Sequence, residues 1–208
     1  MPLTPAPANT LARSAAPRNL VTGLVLAGGR ANRMGGLDKG LQAWQGTPMA
    51  QVALQRLRPQ VGAVLINANR NAAAYEAMGA PVCADLHGGF AGPLAGFHAG
   101  LSRCDTPYLV TVPCDSPRFP PDLVARLLQA LARDQADVAV AATRSQGAVQ
   151  WQPVFCLMHR SLLPSLDEFI ISGQARVERW LRRQRVAEQV FDDAEAFFNA
   201  NTLQDLQA

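Results

Sequence analysis

An apolar run that stops abruptly at glycine constrains this chain more than any other feature. Residues 21–27 are apolar, the run ends at Gly28-Gly29, and a glycine-rich stretch continues to Gly40. An apolar run of this length that ends at glycines predicts a strand buried on both faces. Strands of that kind belong to parallel sheets covered by helices, so this segment already indicates an α/β fold.

The rest of the chain continues the alternation of strands and helices. Alternating elements predict parallel strands joined by right-handed crossovers. We therefore expect an α/β fold of three layers, with a doubly wound, mostly parallel, Rossmann-like sheet. One domain should cover residues 20–208, after a disordered extension over 1–19 that is rich in Ala and Pro. Further strands are predicted at 63–67, 81–84, 108–113, 137–142 and 154–158, and helices at 48–57, 71–78, 93–101, 120–132, 162–169, 176–185 and 203–208.

Composition excludes several classes of protein. A net charge of +3 spread over 208 residues is too weak to indicate nucleic-acid binding. The chain has no apolar stretch long enough to predict a membrane span, and residues 1–19 lack the apolar core of a secretory signal. The four cysteines form no C-x-x-C pair and show no ligand spacing with the three histidines. We therefore expect free thiols, no zinc site and a cytoplasmic location.

The glycine-rich loop predicts a phosphate-binding site. Glycines after a strand bring backbone N–H groups close to phosphate oxygens, and Arg30 and Arg33 add positive charge. Lys39 is the single Lys among 19 basic residues, and its ammonium can act as a mobile point charge. The loop is neither a P-loop nor G-x-G-x-x-G. The alternative is a flexible turn with solvated arginines.

Polar side chains follow three of the predicted strands. In open sheets, ligands bind outside the carboxyl ends of the strands, so these side chains should meet at one edge. Asp115 is a hard oxygen ligand suited to Mg²⁺, or else it opens the turn before Pro117. The Asp85 carboxylate can accept hydrogen bonds from two adjacent N–H donors of a ligand, and the Asn67 amide can bind a carbonyl or a hydroxyl. The alternative for both is a turn or cap residue.

A further segment is a candidate for binding a second substrate. Gly92-Pro93 opens a predicted helix, and exposed N–H groups there favour an anion, although close helix packing also explains the glycines. Near the C-terminus, Asn201 is a candidate helix N-cap, with Thr202 as the alternative.

The motifs together resemble a known family. Residues 26–29, 33–35 and 38–39, with Pro113-Cys-Asp-Ser-Pro117, are similar to the signature of Rossmann-like nucleotidyltransferases. Within that group the chain most resembles the molybdenum cofactor guanylyltransferases, from about residue 21 to the C-terminus. Ser116 favours guanylyl over cytidylyl transfer, since the related cytidylyltransferases tend to have Gln there. Leu203 departs from the family's Pro in the C-terminal motif.

The resemblance implies a reaction and a set of site residues. GMP would pass from GTP to the phosphate of Mo-molybdopterin, with Mg²⁺ on Asp115 and with Lys39 and Asp115 as catalytic residues. Other cofactor-biosynthesis proteins or acceptor molybdoenzymes are candidate partners of an expected monomer. The implied GTP-binding residues are Leu26, Ala27, Gly28, Gly29, Arg33, Lys39, Asn67, Asp85 and Asp115, and the implied second-substrate residues are Gly92, Pro93, Asn199 and Asn201.

Two alternatives to this function stay open at the level of sequence. One is a cytidylyltransferase or sugar-phosphate nucleotidyltransferase of the same fold. The other is a nucleotide-binding adaptor without turnover, which would dock through the basic segment 176–185. For that segment, a solvated face is the favoured interpretation.

Overall fold

A seven-stranded sheet organises the protein, as seen in a computed structural model that describes residues 17–28, 38–87, 92–145, 147–200 and 205. The strand order is β5-β4-β1-β6-β8-β7-β9, and β2 and β3 form a separate hairpin. The strands are β1 (Val21–Leu26), β2 (Ala43–Trp44), β3 (Thr47–Pro48), β4 (Ala63–Asn67), β5 (Val82–Cys83), β6 (Tyr108–Pro113), β7 (Val138–Ser145), β8 (Ala148–His159) and β9 (Val186–Phe191). The helices are α1 (Met49–Leu57), α2 (Ala72–Glu76), α3 (Pro93–Ser102), α4 (Leu123–Asp134), α5 (Leu163–Ile171) and α6 (Val177–Leu181).

The sheet is mostly parallel, as the sequence predicted. β1 pairs in parallel with β4 and β6, β4 with β5, and β7 with β9. β8 is the exception, because it runs antiparallel to both β6 and β7. The α/β fold with a mainly parallel sheet is therefore confirmed.

Helices cover both faces of the sheet, which gives three layers. On β1, Val21 and Val25 belong to a core that includes residues of α1 and α4, whereas Leu24 belongs to a second core with α3, α5 and α6. The alternation follows from the two-residue period of a strand. Both faces of β1 are therefore buried, as its continuous apolar sequence predicted.

The path of the chain creates a switch point at β1. From β1 the chain moves outward to β4 and β5, and then returns through α3 to β6 on the other side of β1. Connections that leave in opposite directions open a crevice at the carboxyl ends of the strands. We therefore expect ligands to bind beyond the carboxyl ends of β1 and β6.

Some elements differ from the sequence prediction. The helix predicted over 176–185 ends at Leu181, and β9 follows it over residues for which no element was predicted. The β2–β3 hairpin was not predicted either. β8 begins at Ala148, earlier than the predicted start at residue 154. The prediction began too late because Pro153 interrupts the apolar pattern of the strand. The β7–β8 register shifts beside Val140 and Ala141, and a bulge of this kind tolerates a residue without an N–H donor.

The N-terminal boundary also differs. Residues 17–20 form a 3₁₀ turn, so the ordered chain begins before residue 20. Asn19 packs so closely against Gly62 that a Cβ on Gly62 would lie 2.9 Å from its Cα. Residues 1–16, and the predicted helix at 203–208 except for Asp205, lie outside the described part.

Candidate functional site

Asp115 projects from the loop after β6, and the surrounding backbone holds this loop in place. Cys114 N donates to Leu26 O at 3.0 Å, which joins the ends of β6 and β1. Ala200 N donates to Asp115 O at 2.8 Å. The adjacent Ser116 is fully buried, and its hydroxyl donates to Asn199 Oδ1 at 2.5 Å. The Asp115 carboxylate therefore sits on a loop that is fixed from two sides.

Lys39 reaches the same carboxylate from the loop after β1. Its Nζ lies 2.7 Å from Asp115 Oδ2, although the two residues are 76 positions apart. Both side chains are partly exposed, at 27% and 21%. The structure thus brings together the ammonium and the carboxylate that the sequence analysis selected.

The residue before Lys39 anchors the loop. The Asp38 carboxylate accepts from Tyr75 Oη at 2.5 Å and from Asn71 Nδ2 at 2.9 Å. Tyr75 is fully buried, and burial together with the hydrogen bond to Asp38 raises its pKa far above the usual value. The phenol therefore stays protonated as a donor. A Cβ on Gly40 would collide with the Tyr75 hydroxyl, so a side chain there would disturb the anchor.

A cluster of amides and one carboxylate occupies the ends of β4 and β5. Asp85 Oδ1 accepts from Asn67 Nδ2 at 2.9 Å, and Asp85 Oδ2 accepts from Asn69 Nδ2 at 2.8 Å. In return, Asp85 N donates to Asn69 Oδ1 at 2.8 Å. Asn67 is only 3% exposed and also donates to Cys83 O. The carboxylate is thereby held in one orientation with both oxygens engaged by neutral donors.

Two glycines make room for the Asn67 side chain. A Cβ on Gly28 would lie 2.9 Å from Asn67 Oδ1, and a Cβ on Gly96 would lie 2.6 Å from the same atom. The backbone of Ala27 is also tied to this strand, because Ala27 N donates to Asn67 O at 2.8 Å. The end of β1, the end of β4 and helix α3 therefore meet around one buried amide.

The start of α3 has the geometry that the sequence predicted. Gly92 adopts φ +56° and ψ −139°, a conformation that favours glycine, and Pro93 occupies the first turn. The glycines of α3 also serve packing, since a Cβ on Gly100 would lie 2.6 Å from Leu24 Cδ2. Gly92 and Pro93 thus combine a free first turn with a helix that sits close to the sheet.

Other predicted residues are less closely joined to the site. Asn199 contacts Ser116 rather than Lys39 or Asp85 in the bonds described. Gly29, Arg30, Arg33 and Asn201 lie outside the described residues. The five arginines of segment 176–185 are exposed, and Arg182 and Arg185 form ion pairs with Glu178 and Asp137. The solvated face favoured for this segment is what the structure has.

A small cavity lies next to the Asp115 loop. Its volume is about 210 Å³, and neither Lys39 nor Asp115 lines it. Trp44 and Arg118 form part of its wall, with the guanidinium carbon 5.7 Å from the ring centroid. The remaining lining residues are Pro117, Glu195, Phe198, Ala200 and Asp205.

Three residues of this region were not assigned roles from the sequence. Asn69 lies two residues after Asn67, Tyr75 lies within the predicted helix over 71–78, and Asp38 belongs to the motif at 38–39. For Asp38 the sequence held a clue, because an acidic residue directly before the single Lys needs a hydrogen-bonding partner of its own. Nothing local in the sequence connects Tyr75 to it, since 37 residues separate the two.

The site chemistry suits phosphates and a hard cation. Asp115 offers carboxylate oxygens of the type that Mg²⁺ prefers, and Lys39 supplies a compact positive charge beside them. The Lys39–Asp115 pair, the Asp38–Tyr75 anchor and the Asn67–Asp85 cluster all follow strands β1, β4, β5 or β6, which flank the switch point of the sheet. Among the described residues, no helix is both long and apolar enough to cross a membrane.

Comparison with solved structures agrees with this architecture. Molybdopterin-guanine dinucleotide biosynthesis protein A from Archaeoglobus fulgidus superposes with a TM-score of 0.70 at 23% identity, covering 89% of this chain and 94% of that one. The 4-diphosphocytidyl-2C-methyl-D-erythritol synthase from Anaerococcus prevotii superposes with a TM-score of 0.71 at 10% identity, covering 90% and 95%. At these identities the likeness establishes the fold alone.

Sequence comparison establishes the family. The chain is 62% identical over 187 residues to a molybdenum cofactor guanylyltransferase from Bordetella petrii, covering 90% of this chain and 95% of that protein. It is 56% identical over 191 residues to one from Cupriavidus necator, covering 91% and 96%. The profile of the MobA-like NTP transferase domain matches residues 23–189. With its switch-point site and these relatives, the chain belongs to the family of MobA-like NTP transferases.

Proposed function

We propose that this protein is a molybdenum cofactor guanylyltransferase, which transfers GMP from GTP to the terminal phosphate of Mo-molybdopterin and releases pyrophosphate. The observation that carries the proposal is the 2.7 Å contact between Lys39 Nζ and Asp115 Oδ2 at the switch point. Relatives at 53–62% identity carry that enzyme name. The contact supports the proposal, because it joins an ammonium to a carboxylate after β6, and open sheets bind ligands beyond the carboxyl ends of their strands.

The reaction needs positioning of charge more than proton transfer. The second pKa of a phosphate monoester is about 6, so the attacking phosphate is largely ionised at neutral pH and needs no general base. One of its oxygens attacks the α-phosphorus of GTP, and the bond from that phosphorus to the leaving pyrophosphate breaks. The protein must hold two mutually repelling anions in line.

We assign Lys39 to the triphosphate. Because the Lys39 side chain is flexible, a small displacement of its ammonium is enough to exchange the Asp115 carboxylate for phosphate oxygens. The anchor made by Asp38 and Tyr75 fixes the backbone from which Lys39 projects. Leu26, Ala27 and Gly28, and with them Gly29 and Arg33, are assigned to the nucleotide by the resemblance of their motif.

A divalent metal ion is usual in enzymes of the NTP transferase family, and we propose Mg²⁺ held by Asp115. The carboxylate is a hard ligand of the kind that Mg²⁺ uses together with substrate phosphates. When bound, the ion would neutralise charge on the phosphates. The fixed loop around Asp115, tied at Leu26 and Ala200, is suited to hold such a ligand in one place.

Asp85 is our candidate for reading guanine. Its two oxygens already accept from Asn67 and Asn69, yet each carboxylate oxygen has a second lone pair available. Guanine presents two adjacent donors, N1–H and N2–H, that match a carboxylate, and cytosine presents no such pair. Buried acceptors left unpaired by the wrong base would disfavour it.

We place the second substrate on the side of α3 and the C-terminal segment. Gly92 and Pro93 expose the first turn of α3, a suitable position for an anion. Asn199 and Asn201 are assigned to this side by resemblance. In the structure Asn199 braces the Asp115 loop through Ser116, so we expect its contribution to act through that loop.

A reducing, cytoplasmic location fits the proposal. All four cysteines are free and buried. Burial raises the pKa of Cys83 to about 11 and of Cys156 to about 12, so neither is a reactive thiolate at neutral pH. A monomeric state stays a prediction that size-exclusion chromatography with light scattering can test.

The decisive experiment measures pyrophosphate release by the purified protein with GTP, Mg²⁺ and Mo-molybdopterin. We expect release only when the pterin is present, and much faster release with GTP than with CTP or UTP. An adaptor without turnover would bind GTP in calorimetry and release no pyrophosphate under any condition. A preference for CTP would instead identify a cytidylyltransferase of the same fold.

A further inference from the structure

Two histidines and an aspartate meet outside the region assigned to GTP. His87 follows β5, His98 lies in the middle of α3, and Asp167 lies in α5. Asp167 Oδ1 is 2.8 Å from His87 Nε2 and 3.3 Å from His98 Nε2. One ligand atom from each of the three residues lies within 4.8 Å of the others. Three separate elements thus converge on one point.

The spacing of these atoms matches that around a tetrahedral metal ion. With zinc-to-ligand distances of about 2.0–2.2 Å, tetrahedral geometry places neighbouring ligand atoms roughly 3.3–3.5 Å apart. Asp167 Oδ1 lies 2.8 and 3.3 Å from the two histidine nitrogens, and all three ligand atoms lie within 4.8 Å of one another, which is close to this spacing. Two imidazoles and one carboxylate also form a set used by zinc sites that keep a fourth position open.

The surroundings leave the imidazoles able to act as ligands. His98 is only 8% exposed, and its ring centroid lies 4.4 Å from that of His87. Its Nδ1 has no hydrogen-bond partner in the described part of the chain, so no such bond fixes the tautomer. Asp167 is 41% exposed, which leaves the cluster open to solvent on one side.

We propose that His87, His98 and Asp167 form a site for a divalent transition-metal ion of the zinc type, distinct from the Mg²⁺ site assigned to Asp115. Imidazole nitrogens select such metals, whereas Mg²⁺ prefers oxygen ligands. The sequence predicted no zinc site, because the ligands come from three elements and show no motif spacing. A bound ion would join His87, two residues after Asp85, to α3 and α5, and would so restrain the chain next to the carboxylate that we assign to guanine.

The test is zinc binding to the metal-stripped full-length protein, with Mg²⁺ present throughout. We expect one equivalent of Zn²⁺ by calorimetry, and a rise in Tm of roughly 5–10 °C at a hundredfold excess over Kd. Co²⁺ in place of Zn²⁺ should give the intense visible absorption of a low-symmetry site. These readouts do not require turnover, so they are independent of the proposed guanylyl transfer.

Variants separate this site from other zinc-binding groups. His87→Asn and Asp167→Asn alter partly exposed side chains and should weaken zinc binding by at least ~100-fold, since even outer-shell changes cost 10–100-fold. His159→Asn is the matched control, because it removes the remaining histidine of the chain and leaves the cluster intact. Comparable Tm values of the metal-free variants show that each one folds.

The proposal is overturned by any of three results. One is the absence of stoichiometric zinc binding to the wild type. Another is equal zinc affinity in the His87→Asn and His159→Asn variants. The third is a thiolate-to-metal charge-transfer band with Co²⁺, which would place the ion on cysteines instead. In each case the cluster would be a set of hydrogen bonds between Asp167 and the two histidines.

Discussion

Two carboxylates of the site, Asp115 after β6 and Asp85 after β5, belong to the same sheet edge but are held by different partners. Asp115 accepts from the ammonium of Lys39. Within the described ranges, the side chain of Asp85 accepts only from the amides of Asn67 and Asn69. The first carboxylate has its charge balanced by a mobile cation, and the second keeps its full charge in a fixed orientation.

The difference suits the tasks we assign to them. A carboxylate paired with Lys can exchange that partner when phosphates and a metal ion arrive, because the new charges compensate both groups. A carboxylate held by neutral amides keeps its position and its capacity to accept from a base. The phosphate side is therefore built to rearrange charge, and the base side is built to stay fixed. Substitutions on the two sides should fail in different ways.

The largest effect should come from Lys39→Ala. Loss of one preorganised cation at the reacting phosphates should lower kcat by about 10²–10³-fold, or about 2.7–4 kcal/mol. The side chain is partly exposed, so Tm should change little. Steady-state kinetics of pyrophosphate release measure the effect, with Arg160→Ala as a control on an exposed cation distant in sequence. Normal turnover would remove Lys39 from the mechanism.

The second effect concerns selectivity more than rate. Asp85→Ala should reduce the preference for GTP over CTP by about 10²-fold, because guanine loses its acceptor pair while cytosine loses nothing. Asp85→Asn should retain part of the preference, since one acceptor oxygen remains. Competition between the two nucleotides measures the ratio, and the exposed Asp105→Ala serves as the matched control. An unchanged ratio would refute the assignment of Asp85.

The third effect tests whether the anchor behind Lys39 matters. Tyr75→Phe leaves Asp38 without its phenolic donor, which should cost about 1–3 kcal/mol of stability and lower kcat several-fold through displacement of the Lys39 backbone. Tyr108→Phe changes the other tyrosine of the chain and should affect kcat little. Urea unfolding and kinetics together separate the two expected losses. A destabilised variant with normal kcat would reduce the anchor to a purely structural role.

The sequence predicted the strands that carry this site better than the hydrogen bonds that hold its loops. β4 and β6 have the predicted bounds, and the ends of the strands do bring Lys39 to Asp115 and Asn67 to Asp85. Strand position follows from local apolar patterns, and the meeting of strand ends follows from parallel topology. The supports could not be predicted, because Tyr75–Asp38 and Ser116–Asn199 join residues distant in sequence. β9 was missed because an edge strand with Glu188 and Gln189 lacks an apolar signal.

The smallest effect should come from an ion pair outside the site, which serves as the reference for Lys39 and Asp115. Arg185 donates to both oxygens of Asp137 at 2.7 and 2.8 Å, but its side chain is 73% exposed. The hydrogen bond from Arg185 lowers the pKa of Asp137 below its ordinary value of 3.8. This pair therefore stabilises the fold above the unfolded-state pKa, and the contribution is lost as the pH falls through the folded-state pKa.

Asp137→Asn should accordingly lower Tm only slightly at pH 7, because solvent screens an exposed pair. The difference from wild type should shrink to nothing as the pH is lowered below that pKa, and kcat should not change at any pH. Thermal melts from pH 7 to pH 3 measure the first effect, and pyrophosphate release at pH 7 measures the second. A loss of activity comparable to that of Lys39→Ala would contradict the comparison, since removal of any ion pair would then impair the enzyme. Contact distance does not distinguish the two pairs, since both are 2.7 Å long, so the distinct role we assign to Lys39 and Asp115 depends on their position after β1 and β6, where open sheets bind ligands.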